Sequence, residues 1–91
     1  MKKQFTIQNP FGLQPSPVRH ITHMAKAYPL RVSLEIEGKR YDAKSLVQLL
    51  SAEAKFGDIV TVSAEEGAAA AEVVDAIGSL LTKVGPSGPA G

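Results

Sequence analysis

The sequence predicts an α+β open-faced sandwich: a four-stranded antiparallel or mixed sheet covered on one face by three helices, in the order β-α-β-β-α-β-α. Apolar residues alternate with polar ones in short runs near 3–8, 31–37 and 59–63, the mark of half-buried strands. Between and after them, apolar residues recur at helical spacing. The strands come singly or as one hairpin between helices, which calls for antiparallel or mixed pairing with the helices on one face.

The elements follow in order. Lys3 to Gln8 places Phe5 and Ile7 on one side and Gln4, Thr6 and Gln8 on the other. Asn9-Pro10 and Gly12 break the strand. Pro15 and Pro17 are tolerated only in the first turn of a helix. Ser16 between them is a candidate N-cap. The set Val18, Ile21, Met24, Ala25 and Tyr28 continues that helix and Pro29 ends it. Arg31 to Glu37 turns Val32, Leu34 and Ile36 inward. Gly38-Lys39 reads as a hairpin turn and Arg40 to Ala43 as the return strand. Ser45 opens a short helix with Leu46, Leu49 and Leu50 at the spacing of one face. Gly57-Asp58 turns the chain into a strand at 59–63, and Gly67 precedes a last helix over 68–84 that buries Val73, Val74, Ile77, Leu80 and Leu81. Residues 1–84 form one domain on this reading. Residues 85–91, rich in glycine and proline, read as a disordered tail.

At 91 residues, with no cysteine and a formal net charge of +1, the chain has room for one modest core, no disulfide or thiolate metal site, and no strong field for nucleic acid. Neither a membrane span nor a signal peptide is expected, so the default location is cytoplasmic. The charge is uneven. Residues 1–45 are basic and residues 46–91 acidic. Such asymmetry suits a face that docks on an acidic partner, and equally two halves of one domain attracting each other.

The run Gly12 to Pro17 is a loop feeding a helix N-terminus, where backbone N–H groups and the helix dipole favour an anion. Gly12-Leu13 before the first helix and Lys44-Ser45 before the second, in this order and at this length, resemble the HPr family. These are the small histidine phosphocarriers of the bacterial sugar phosphotransferase system. The resemblance covers roughly residues 1–84. The family motif Gly-Leu-His-Ala-Arg-Pro-Ala stands here as Gly12-Leu13-Gln14-Pro15-Ser16-Pro17-Val18. Gln14 takes the place of the phosphorylated histidine, Pro15 that of an alanine and Ser16 that of the arginine. Gln14 has no titratable nitrogen, Pro15 no N–H and Ser16 no positive charge. The resemblance therefore implies a chain not competent for histidine phosphoryl transfer and without a catalytic residue.

The second family motif, Lys-Ser before an apolar helix, stands here as Lys44-Ser45-Leu46-Val47-Gln48-Leu49-Leu50-Ser51, with Gln48 where the family usually has glycine. In the family a dedicated kinase phosphorylates that serine in many bacteria, which makes Ser45 the candidate switch. Its phosphate would sit at the positive end of a helix dipole, with Lys44 beside it. A plain N-cap role for Ser45 is compatible with this. The helix is too apolar for one buried face, and Val47 falls off the leucine stripe. In the family this neighbourhood and the first helix form the docking surface. Arg19, Lys26, Lys44, Leu46, Val47 and Leu50 are accordingly the candidate partner-binding residues.

His20 and His23 read as solvated helix histidines, with a metal or substitute phosphosite as the sharper alternative. No cofactor or metal is called for. The function expected is that of a non-catalytic regulatory module resembling Crh-type members of the family. Its partners would be a serine kinase and a transcriptional regulator or phosphotransferase-system component. A phosphocarrier using another residue and an unrelated small binding module are the alternatives.

Overall fold

The computed structural model describes residues 1–82, so the tail expected at 85–91 lies outside the described residues. The elements are β1 (Lys2–Thr6), α1 (Pro15–Lys26), β2 (Val32–Ile36), β3 (Lys39–Asp42), α2 (Leu46–Ser51), β4 (Ile59–Ala64) and α3 (Ala70–Leu81). The sheet order is β1-β4-β2-β3, with every neighbouring pair antiparallel. The last strand in sequence is therefore the inner partner of both β1 and β2. The mixed-sheet alternative is excluded.

Alternation along the strands separates the two faces of the sheet. Val32, Leu34, Ile36, Val60, Val62 and Ala64 are buried against the helices. They meet Val18, Ile21 and Ala25 of α1, Leu49 of α2, and Val73, Val74, Ile77 and Leu81 of α3 in one core. The opposite face is mostly polar, with Ile59 exposed opposite Thr6 at one end. Its register rows are Lys2–Ser63–Ser33–Asp42 and Gln4–Thr61–Glu35–Arg40.

Several boundaries differ from the sequence reading for local reasons. β1 stops at Thr6, but Ile7 remains pinned: its N–H donates to the Asp58 carbonyl and its carbonyl accepts from Gly57 N–H, both at 2.9 Å. The hairpin turn is Glu37-Gly38 rather than Gly38-Lys39, because Ile36 pairs with Lys39. Both turn residues have positive φ, 51° and 79°. This is the left-handed pair that matches strand twist in a two-residue hairpin, and glycine fits its second position. α1 ends at Lys26 with Ala27 as C-cap, a turn before Pro29. α3 starts at Ala70, later than expected, because Gly67 to Ala69 form a turn in which Ala70 N–H donates to the Gly67 carbonyl.

Gly78 lets α3 lie directly on β1. A Cβ at this position would run into the Phe5 ring. Gly78→Val is expected to destabilise the domain by about 2 kcal/mol through overpacking, read as a lower urea midpoint at unchanged slope.

The basic and acidic halves meet around α3 and the turn before it. Lys3 Nζ lies 2.7 Å from Asp75 Oδ1, and the Met1 ammonium 2.7 Å from Glu66 Oε2. Both pairs are solvent-facing, so each adds little stability. Tyr28 Oη donates to Glu72 Oε2 at 2.7 Å, tying the end of α1 to α3. That hydrogen bond, then partial desolvation, then the carboxylate's charge raise the Tyr28 pKa above the ordinary phenol value. A raised acid contributes its stability below the ordinary value of about 10 and loses it as pH rises through the folded value. In a Tyr41→Phe background, the ultraviolet titration of Tyr28 is expected to move down when Glu72 is replaced by alanine.

Candidate functional site

The Gln14 loop closes on itself. Asn9 Oδ1 accepts the Phe11 N–H at 3.0 Å and the Asn9 carbonyl accepts the Gly12 N–H at 3.0 Å. Gly12 has φ 71° and sits against the Ala54 carbonyl, where a Cβ has no room. The next residue, Leu13, is buried, and its N–H donates to that same carbonyl at 3.0 Å. This bond joins the loop to the segment leaving α2. Glu53 makes the junction possible by adopting φ 50° just beyond the α2 C-cap, a left-handed position more often held by glycine.

Gln14 is the N-cap of α1, and the expected cap Ser16 instead lies inside the first turn. The reason is the proline pair. Pro15 enters the helix directly at its first position, so the residue before it becomes the cap. The Gln14 side chain does not cap the helix. Its Nε2 donates back to the Phe11 carbonyl at 2.8 Å. Val18 N–H already donates to the Gln14 carbonyl at 3.1 Å. With Pro15 and Pro17 lacking N–H groups, Ser16 supplies the one backbone donor left at this helix start.

The second part of the site is α2. Ser45 is its N-cap, with Oγ accepting Gln48 N–H at 3.2 Å. Gln48 Oε1 accepts Asp42 N–H at 2.8 Å and so fastens the helix to the end of β3. Ser45→Ala is expected to cost about 1 kcal/mol in a thermal or urea melt.

Leu46, Leu49 and Leu50 do not share the core. The helix is rotated so that Leu49 and, at its C-cap, Ala52 pack on the core, and of the three leucines only Leu49 is buried. Leu46 at 36%, Val47 at 77% and Leu50 at 39% exposure form one outward apolar strip. Phe11, beside Gly12 in the loop, is 76% exposed.

Arg19 and Lys26 are exposed on α1. Lys44 is half-buried, and its Nζ donates to the Tyr28 carbonyl at 2.7 Å. Its charge thus serves the link between α1 and α2. His20 and His23 are both exposed, and no group of three potential metal ligands occurs among the described residues. No helix among the described residues is long and apolar enough to cross a membrane.

Sequence reasoning missed the roles of Ala54, Glu53 and Gln48. Ala54 acts through a backbone carbonyl and leaves no side-chain signal. Gln48 had one: a serine followed three residues later by glutamine is the spelling of a capping box. Here the glutamine reaches the end of the preceding strand instead of the cap residue.

The family model described as the PTS HPr component phosphorylation site matches residues 1–83. The chain belongs to the HPr family. Solved structures agree with this assignment. HPr of Bacillus anthracis is 25% identical, with a TM-score of 0.81 over 89% of this chain and 95% of that one. HPr-C-His of Thermoanaerobacter tengcongensis is 26% identical, with a TM-score of 0.81 over 89% of this chain and 90% of that one. Crh of Bacillus subtilis, a catabolite-repression protein whose crystal structure shows a swapped, intertwined dimer, is 29% identical, with a TM-score of 0.68 over 79% of this chain and 82% of that one. HPr-family proteins are phosphocarriers of the phosphotransferase system rather than catalysts, and they work through contacts with other proteins of that system and with regulatory proteins.

Proposed function

We propose that this HPr-family chain is a regulatory protein-binding module that does not pass phosphate through its α1 loop and is switched at Ser45. The observation that carries the proposal is the state of the loop. At the helix start stands an amide, already committed to the Phe11 carbonyl, beside two prolines that remove N–H donors. A phosphoryl acceptor needs a nitrogen nucleophile and a developing anion needs donors and a cation. None of Gln14, Pro15 and Ser16 supplies either the nucleophile or the cation.

The outward strip of Leu46, Val47 and Leu50, together with the exposed Phe11 of the Gln14 loop, supports a docking role, with Arg19 and Lys26 as candidate rim cations. A phosphate on Ser45 would add about two negative charges at the edge of that strip. Because Lys44 is held by the Tyr28 carbonyl, the first-turn N–H groups of α2 would carry most of the compensation. The surface would change sign while the helix is kept. Likeness to Crh favours a partner in catabolite regulation over a place in the phosphorelay.

Incubation with the labelled phosphoryl donor of the family's relay is expected to leave the chain unlabelled. An acid-labile, histidine-type adduct overturns the proposal. Incubation with a family serine kinase is expected to add one phosphate, absent in Ser45→Ala. A partner captured equally by Ser45→Ala and Ser45→Asp removes the switch.

A further inference from the structure

The face of the sheet turned away from the helices carries an open cavity of about 700 Å³. Its floor is one register row across all four strands, Lys2, Ser63, Ser33 and Asp42, which at ordinary strand spacing spans roughly 14 Å. Arg31 stands at the start of β2 and Arg40 on β3, and both line the cavity with Lys2. None of these three cations forms an ion pair among the described residues. Arg40 is opposite Glu35 in the register, and even this pair is not closed.

The other polar groups lean the same way. The hydroxyls of Ser33 and Ser63 have no hydrogen-bond partner from the described residues. Gln48, at one end of the cavity, spends its Oε1 on Asp42 N–H and keeps its –NH₂ free. The two acids of the lining are each partly engaged. Glu65 Oε1 accepts Arg31 N–H at 2.7 Å, and Asp42 Oδ1 accepts Lys44 N–H at 2.9 Å. Among the described residues the cavity therefore offers three unpaired cations and three neutral groups able to donate, with one oxygen of each of two carboxylates left over.

We propose that this cavity binds a small phosphomonoester borne on a polyhydroxylated compound. The volume lies in the range of small-molecule sites, roughly 300–1,000 Å³. The cations and donors suit a compact dianion through charge-assisted hydrogen bonds. The free carboxylate oxygens of Asp42 and Glu65 suit the hydroxyls of the same ligand, and they repel an extended polyanion such as nucleic acid. Gln48 joins the cavity to α2, while the Gln14 loop contributes no lining residue.

The test is an amide-resolved NMR titration of the full chain with glycerol 3-phosphate, inorganic phosphate and glycerol in separate arms at matched ionic strength. Glycerol 3-phosphate is expected to saturate near or below about 1 mM, moving amides at Lys2, Arg31 to Ser33, Arg40 to Asp42 and Ser63 to Glu65. Inorganic phosphate is expected to bind several-fold more weakly, and glycerol alone to move nothing. Arg31→Ala and Arg40→Ala, exposed positions whose spectra report retained fold, are each expected to weaken binding by about tenfold, while Lys55→Ala leaves it unchanged. Shifts spread over Lys26 and Lys55, equal affinity for inorganic phosphate, or binding unchanged in both arginine variants overturn the proposal.

Discussion

Gln14→His alone is expected to leave the chain a very poor phosphoryl acceptor, whereas Gln14→His combined with Pro15→Ala and Ser16→Arg raises acceptance by at least about a hundredfold over the single change. The nucleophile is one of three missing parts. At the N-cap of α1 a histidine would face a helix start with Ser16 as its one backbone donor, because Pro15 and Pro17 carry no N–H. Loss of one oxyanion-type donor costs about 10²–10³ in rate, and the missing cation adds to that. Pro15→Ala restores an N–H at the first helical position, and Ser16→Arg supplies charge. Gln14→His also deletes the bond to the Phe11 carbonyl that helps close the loop. Label incorporation from the family donor, measured as an initial rate on all three backgrounds, checks this. Equal rates in the single and triple variants would show that the neighbours of residue 14 do not matter.

Gly12→Ala is expected to destabilise the domain by about 3 kcal/mol and lower Tm by roughly 12 °C or more. Two costs combine. The left-handed φ of 71° penalises any Cβ, and the new methyl would strike the Ala54 carbonyl, a backbone atom that cannot swing aside. Moving it breaks the Leu13 N–H bond to that carbonyl and lifts Leu13 from its buried position. Gly38→Ala is the control. Its φ is 79°, but nothing stands within 4 Å of the new Cβ, so it bears only the backbone cost of about 1 kcal/mol. Equal melting temperatures for the two variants would refute the steric half of the argument.

Element types and order were readable because each segment's apolar period is clean. Val32, Leu34 and Ile36 step by two, and Val18, Ile21 and Ala25 by three and four. Boundaries were less readable where a competing local rule acted. The Glu37-Gly38 turn needs a left-handed glutamate, which no propensity announces, so residue pattern alone places the hairpin one residue late. Ser16 is a better intrinsic cap than Gln14, yet Pro15 decides the helix start. On α2, spacing alone cannot tell which arc of a six-residue helix faces inward. The neighbour on α1 and the strand end held by Gln48 set the rotation. The two parts of the candidate site, the Gln14 loop and the Ser45 helix, are visible as motifs. Their connection through Leu13 N–H and the Ala54 carbonyl is a tertiary backbone contact with no trace in residue identity.

The placement of β4 between β1 and β2 has a consequence for how the chain acquires its structure. Neither β1 nor the inner edge of β2 has a strand to pair with until residues 59–64 are available, since the register joins Lys2 to Ser63 and Val32 to Ala64. During synthesis the β2–β3 hairpin and α1 can form early, but the sheet that buries them stays incomplete until residue 64 of these 91 has been made. Closure of such a long loop precedes the contacts that reward it, which places this fold among the slower small domains. The strand that arrives last among the four is the one on which the sheet's cooperativity rests.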